Sequence, residues 1–146
     1  MTEPDPIAIL LVEDEPADAY LVRVAFTEGK VLVNLHHVRD GVEAFDFLQR
    51  KSGFEHAPRP DLILLDLNMP RMDGRQFLST IKQDPELVGI PVVVLTTSDA
   101  ESDLVASYEH NAAGYIVKPI DIDEFVRLVR GLSHYWLSIV NLPENP

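Results

Sequence analysis

The sequence contains no cysteine, carries few basic residues and has no long apolar run. Without cysteine the chain can form neither a disulfide framework nor a thiolate zinc site. Its 12 lysine and arginine residues stand against 24 aspartate and glutamate residues, and the formal net charge of −12 argues against direct nucleic-acid binding. No apolar segment reaches the length needed to span a membrane.

The N-terminus, "MTEPDP", lacks the basic start and the apolar core of a secretory signal peptide. We therefore expect a cytoplasmic protein without a membrane segment. The chain has 146 residues, of which 46% are hydrophobic, and this is enough for one folded domain with a proper core.

Five apolar segments alternate with amphipathic segments along the chain. This alternation predicts an α/β fold with a doubly wound, five-stranded parallel sheet covered by five helices. The predicted strands occupy 7–12, 31–38, 61–65, 90–95 and 114–117. The fourth helix is expected over about 99–110, and a long fifth helix is expected to start at Asp121.

Helical spacing indicates which side chains of the first and third helices face the sheet. The first helix should begin near Pro16, and the third should begin at Gly74. The expected buried residues are Ala17, Leu21, Val24 and Ala25 in the first helix and Phe77, Leu78 and Ile81 in the third.

Polar residues follow four of the five predicted strands. They are Glu13 and Asp14 after the first strand, Asp66 after the third, Thr96 and Thr97 after the fourth, and Lys118 after the fifth. In doubly wound sheets, ligands bind beyond the carboxyl ends of the strands, where the strand order reverses. We therefore expect these side chains to converge at one edge of the sheet.

Three neighbouring carboxylates repel one another unless a cation lies among them. A ligand set made of oxygen alone favours Mg²⁺, and the −3 charge of Glu13, Asp14 and Asp66 would balance Mg²⁺ together with Lys118. A carboxylate such as Asp66 can also act as a nucleophile and form an acyl phosphate. The plainer alternative is a set of solvated acids with a structural salt bridge, and it explains any one of these residues better than their joint placement.

Four segments resemble the receiver domain of two-component response regulators. They are "LLVEDEP" (10–16), "LLDLNMPRMDG" (64–74), "PVVVLTTS" (91–98) and "AAGYIVKPID" (112–121). The resemblance covers residues 7 to about 131 and implies the flavodoxin-like receiver fold. It divides the chain into an N-terminal tail (1–6), a receiver domain (7–131), and a C-terminal helix extension and tail (132–146).

The resemblance implies a role for each acidic residue of the cluster. Asp66 corresponds to the phosphoacceptor, which takes a phosphoryl group from a phosphohistidine of a sensor histidine kinase. Asp14 corresponds to a direct ligand of Mg²⁺, Glu13 to a ligand that acts through water, and the backbone carbonyl of Asn68 to a further ligand. Glu13 stands where aspartate is commoner in the family, and the charge is the same.

The resemblance also implies residues that respond to phosphorylation. Lys118 corresponds to the lysine that binds the phosphoryl group, and Thr96 to the hydroxyl residue that moves toward it. Tyr115 corresponds to the aromatic switch residue, which turns inward when that threonine moves. Thr97 departs from the alanine or glycine of many receivers, and its bulk could narrow access to the phosphoryl group.

The C-terminal segment, "FVRLVRGLSHYWLSIVNLP" (125–143), resembles the stand-alone response regulators paired with bacterial and cyanobacterial phytochromes. Those proteins commonly form homodimers through their fourth and fifth helices. A helix from Asp121 to about Ile139 is longer than the sheet needs, so its distal apolar residues are expected to form an interface. The expected dimer contacts are Tyr135, Trp136 and Ile139, and the expected kinase is a phytochrome.

These observations predict a single-domain response regulator that signals through a phosphorylation-dependent protein surface. It would catalyse its own phosphorylation and dephosphorylation, and we do not expect it to be an enzyme that acts on other molecules. We expect no output domain, since only residues 132–146 follow the receiver. The alternatives are a phosphorelay intermediate, a phosphorylation-independent adaptor, and an aspartyl-phosphate phosphatase. The last class needs a second aspartate two residues after Asp66, where this chain has Asn68.

Overall fold

The computed structural model describes residues 7–30, 32–67, 74–96, 112–118, 121–127 and 131. Strands and helices alternate along these ranges, and residues 122–127 are helical. The elements are β1 (Ile7–Val12), α1 (Pro16–Gly29), β2 (Val33–Val38), α2 (Gly41–Gln49), β3 (Leu62–Asp66), α3 (Gly74–Lys82), β4 (Val92–Thr96) and β5 (Ala112–Val117).

The five strands form one sheet in the order β2-β1-β3-β4-β5, and every neighbouring pair is parallel. The predicted doubly wound sheet is therefore confirmed. The chain moves outward from β1 to β2 and then returns to the other side of β1 to form β3. Between β1 and β3 the strand order reverses, and in doubly wound sheets ligands bind at this point, beyond the carboxyl ends of the strands.

The three central strands are apolar at successive positions because helices cover both faces of the sheet. Alternate residues of β1, β3 and β4 point to opposite faces and join two separate hydrophobic clusters. The cluster beneath α2 and α3 contains Leu10, Val12, Ile63, Leu65, Val92 and Val94 from the strands. The cluster beneath α1 contains Ile9, Leu11, Leu62, Leu64, Val93 and Leu95.

The buried face of α1 differs from the prediction. Its buried side chains include Ala19, Val22, Ala25 and Phe26. Ala25 is buried as expected, but Ala17 is exposed, and Leu21 and Val24 are only partly buried. The helix is apolar on several sides, so two overlapping stripes satisfy the same helical spacing. The stripe that faces the sheet carries Phe26, whose ring packs edge-to-face on Phe125 with the centroids 5.8 Å apart.

The turn between β3 and α3 requires glycine at position 74. A β-carbon there would lie 2.5 Å from the Leu67 Cα and 2.6 Å from the Asp66 carbonyl oxygen. The backbone N–H of Gly74 donates to the carbonyl oxygen of Leu67 over 2.9 Å. The helix predicted to start at Gly74 does so, with Phe77, Leu78 and Ile81 buried as expected. The first turn of α3 thus packs directly against the end of β3.

Several predictions concern residues outside those that the structure describes. The fourth helix over about 99–110, the helix beyond position 131, and the tails at 1–6 and 132–146 belong to this group. Among the described residues, no helix combines the length and the apolar character that crossing a bilayer requires.

Candidate functional site

The carboxyl ends of β1, β3, β4 and β5 place the predicted residues at one edge of the sheet. Glu13 and Asp14 follow β1, Asp66 and Thr96 are the last residues of β3 and β4, and Lys118 follows β5. The backbone pairing continues past the strand ends. The N–H of Glu13 donates to Val38 over 3.0 Å, that of Leu67 to Leu95 over 3.1 Å, and that of Lys118 to Thr96 over 2.6 Å.

Three carboxylates meet at this edge. One oxygen from each of Glu13, Asp14 and Asp66 lies within 4.8 Å of the other two. Glu13 and Asp66 are buried, and Asp14 is exposed to solvent. Such a set contains only hard oxygen ligands and leaves one side open to water, and both features suit a hydrated divalent cation such as Mg²⁺. The donor set therefore fits the expected metal.

Lys118 forms ion pairs with three carboxylates at once. Its ammonium nitrogen lies 2.9 Å from Oε1 of Glu13, 2.9 Å from Oδ2 of Asp18 and 3.4 Å from Oδ2 of Asp66. The lysine side chain is only 11% exposed. The positive charge thus lies where two buried carboxylates would otherwise repel each other.

The electrostatics of the site raise the pKa of two groups. Burial raises the pKa of Glu13 to about 7; its hydrogen bond with Asp66 acts in the same direction, and Lys118 partly opposes both. Burial alone would lower the pKa of Lys118, but hydrogen bonds to Glu13 and Asp18 hold it above its ordinary value. Lys118 is therefore positively charged at neutral pH, while burial disfavours the ionised form of Glu13 in the metal-free site.

Glu13 is held through both its side chain and its backbone. Oε2 accepts from the backbone N–H of Glu15 over 3.1 Å, next to the first turn of α1. The Nε2 of His37 on β2 lies 2.7 Å from the backbone oxygen of Glu13. Since a carbonyl oxygen only accepts, His37 donates with that nitrogen. The acidic loop after β1 is therefore fastened to α1 and to the edge strand.

Two residues of this arrangement were not predicted, namely Asp18 and His37. Asp18 lies in the first turn of α1, four residues after Asp14. This closeness to the acidic pair is the feature of the sequence that could have indicated its place in the site. His37 reaches the site across the β1–β2 pairing, where it faces Leu11 in register. Both contacts arise from packing between elements that are adjacent in space.

The remaining predicted residues are placed only in part. Thr96 is buried at the end of β4, and Tyr115 on β5 is 49% exposed and pairs in register with Val94. The other predicted residues lie outside the described ranges; they are Asn68, Thr97, Tyr135, Trp136 and Ile139.

Residues 9–130 match the response regulator receiver domain family. The chain is 46% identical to response regulator Rcp1 of Synechocystis sp. over 138 residues, which cover 94% of each protein. It is therefore similar to this relative over nearly its whole length.

Solved structures give the same result. The Mn²⁺-bound form of response regulator Rcp1 superposes with a TM-score of 0.75 at 46% identity, covering 90% of this chain and 95% of that one. The phosphorylated cyanobacterial phytochrome response regulator RcpA superposes with a TM-score of 0.77 at 43% identity, covering 92% and 96%. This chain, with its acidic cluster and shared lysine at the end of a parallel sheet, belongs to the response regulator receiver domain family.

Proposed function

We propose that this protein is a response regulator that accepts a phosphoryl group on Asp66 from a phosphohistidine of a sensor histidine kinase. The observation that carries the proposal is the position of the Asp66 carboxylate. It is buried at the end of β3, its Oδ2 lies 3.4 Å from the Lys118 ammonium, and it shares a potential metal site with Glu13 and Asp14. A buried carboxylate with two sources of positive charge is suited to carry added negative charge.

In the proposed transfer, a carboxylate oxygen of Asp66 uses a lone pair to form a bond to phosphorus. The P–N bond of the donor phosphohistidine breaks, and its electron pair returns to the imidazole nitrogen. Lys118 then donates to an oxygen of the transferred group, and the Thr96 hydroxyl is the second donor implied by the family. The protein contributes position and charge neutralisation, which dominate phosphoryl transfer.

Glu13, Asp14 and Asp66 would hold Mg²⁺, joined by the backbone carbonyl of Asn68 as the family resemblance implies. When bound, the cation neutralises phosphoryl oxygens without requiring a proton. These three carboxylates and Asp18, which shares Lys118, supply −4, and the cation with Lys118 supplies +3, so the unphosphorylated site keeps about one negative charge. Lys118 therefore neutralises part of the carboxylate charge even before a metal binds.

We infer that the signal leaves the site through Thr96 and Tyr115. Thr96 ends β4, and Tyr115 lies on the neighbouring edge strand beside a cleft lined by Ile116, Val117 and Phe125. Tyr115 is 49% exposed, and the family resemblance implies that its ring turns inward when Thr96 moves toward a phosphoryl group. Phosphorylation would thereby change the protein surface that a target contacts.

The similar protein RcpA is a cyanobacterial phytochrome response regulator, and this points to the kinase of the present chain. We propose a phytochrome as the kinase and a homodimer as the assembly, with Tyr135, Trp136 and Ile139 as dimer contacts. The receiver domain would comprise residues 7–131, with the C-terminal extension following it. A phosphorelay intermediate, which passes the group to another histidine, is the alternative output.

The test is phosphotransfer from a panel of radiolabelled histidine kinases, including phytochromes, in the presence of Mg²⁺. Wild-type protein should take up one equivalent of phosphate, and Asp66→Asn should take up none. Asp61→Asn is the matched control, because Asp61 precedes the same strand at the opposite end of the sheet. Equal labelling of Asp66→Asn would refute the assignment of the acceptor. An unlabelled wild type would indicate a phosphorylation-independent adaptor, and repeated turnover of small phosphate esters would indicate a phosphatase.

A further inference from the structure

Asp18 contacts the lysine of the site from the first turn of α1. Its Oδ2 lies 2.9 Å from the Lys118 ammonium nitrogen, as close as the Glu13 oxygen and closer than the Asp66 oxygen at 3.4 Å. The lysine is therefore drawn at least as strongly toward Asp18 as toward the proposed acceptor.

The ion pair between Asp18 and Lys118 affects phosphorylation because the ammonium has few hydrogen-bond donors. A lysine ammonium has three N–H donors, and three carboxylates already surround it. A phosphoryl group on Asp66 adds strongly accepting oxygens beside the same ammonium. These oxygens take the place of the Asp66 carboxylate beside Lys118 and attract the ammonium more strongly than that carboxylate did, so the contact with Glu13 or with Asp18 has to lengthen.

Burial decides which partner can be released. The Glu13 side chain is 0% exposed, so bulk solvent does not reach the oxygen that the lysine would leave. The Asp18 side chain is 20% exposed and can be hydrated when the ion pair opens. Asp18 also lies in the first turn of α1, where the helix dipole stabilises a free carboxylate. Breaking the ion pair between Asp18 and Lys118 therefore costs less free energy than breaking the one between Glu13 and Lys118.

We propose that Asp18 competes with the phosphoryl group for Lys118 and so opposes the phosphorylated state. The inference rests on the proposed function of Asp66. Asp18 acts through the lysine and is a positioning residue. In the unphosphorylated protein it holds the ammonium closer to α1 than to Asp66, and in the phosphorylated protein it is the partner that Lys118 leaves.

The test uses beryllofluoride, an unreactive mimic of the phosphoryl group, and measures its affinity by calorimetry at saturating Mg²⁺. Asp18→Asn should bind it about fivefold more tightly than wild type, which is the scale of a partly exposed ion pair. Asp18→Glu, which keeps the charge, should remain close to wild type. Glu28→Gln is the matched control, since it removes one exposed carboxylate from the last turn of the same helix and should leave the affinity unchanged.

A double-mutant cycle separates the ion pair from a general effect of charge. In a Lys118→Ala background, measured at higher beryllofluoride concentrations, Asp18→Asn should produce no gain in affinity. Denaturant unfolding of each variant checks that it is folded. An unchanged or weaker affinity of Asp18→Asn, or an equal gain without Lys118, would overturn the inference and leave the proposed function intact. Absence of binding by folded wild type would overturn both.

Discussion

The backbone nitrogen of Gly74 lies 2.9 Å from the carbonyl oxygen of Leu67, so the first residue of α3 touches the residue that follows Asp66. This contact links the packing of α3 to the position of the candidate acceptor. The helix is anchored by Phe77, Leu78 and Ile81 in the core, and the strand end cannot move away from it freely. A change at this contact should therefore be felt at the site.

Gly74→Ala should destabilise the protein by about 1–3 kcal/mol, because the added methyl group would overlap backbone atoms of Leu67 and Asp66. It should also weaken Mg²⁺ binding, since the end of β3 has to shift. Denaturant unfolding and calorimetry measure the two effects. Gly131→Ala is the control, because a β-carbon there meets no atom of the residues that the structure describes, and alanine favours a helix. Equal stability of the two variants would contradict the prediction.

The stability of the metal-free protein should fall as the pH is raised from about 5 to 7. The pKa of Glu13 is about 7 in the folded protein against an ordinary 4.5, so the folded state keeps a proton that the unfolded state has lost. The loss between pH 5 and 7 should be at most about 3 kcal/mol, from roughly 1.4 kcal/mol for each of these two pH units.

Urea unfolding at several pH values in the presence of a chelator measures this dependence. Glu13→Gln should remove the slope, and Glu28→Gln should retain it. Adding Mg²⁺ at pH 8 should restore stability, because the cation favours the ionised carboxylate. A wild-type stability that is flat between pH 5 and 7 would count against a raised pKa of Glu13.

Asp14→Asn should weaken Mg²⁺ binding by roughly tenfold or more, the scale on which altered metal sites lose affinity. Asp14 is exposed, so the fold should be unaffected. Calorimetric titration with Mg²⁺ gives the affinity. Glu15→Gln removes a neighbouring exposed charge and should change the affinity less than about twofold. The comparison distinguishes direct binding of the metal by Asp14 from the long-range attraction of any nearby negative charge. Similar losses in both variants would mean that Asp14 is not a ligand.

His37→Ala should lower the free energy of unfolding by about 1 kcal/mol, because the carbonyl oxygen of Glu13 loses its 2.7 Å hydrogen bond. Mg²⁺ affinity should also fall a few fold, since the acidic loop becomes less well positioned. His37→Gln, which keeps a donor, should recover part of both losses. A variant that matches wild type in stability and in Mg²⁺ affinity would show that this bond does not position the loop.

The sheet and most of the site were predictable because their signals are local. Unbroken apolar runs indicate strands that are covered on both faces, and β3 and β4 are buried at every position. The topology rule then places Asp66 and Lys118 together from opposite halves of the sequence. Chemistry at the ends of parallel strands can be read from the chain once the strands are known.

The contacts that escaped prediction depend on how elements pack. The buried stripe of α1 was placed one face away because Ala17 and Leu21 fit helical spacing as well as Ala19 and Val22 do. The same rotation of the helix decides that Asp18 reaches Lys118. Periodicity alone does not fix that rotation when apolar residues occur on several sides of a helix.

The order of the strands along the chain has a consequence for assembly. The three carboxylates of the acidic cluster all belong to residues 7–66, whereas the lysine that neutralises them arrives with the last strand, β5. The three carboxylates are therefore synthesised before the lysine that neutralises them. Docking of β5 is then assisted by electrostatic attraction as well as by burial of apolar surface. A divalent cation at the acidic cluster would shield this edge until Lys118 is in place.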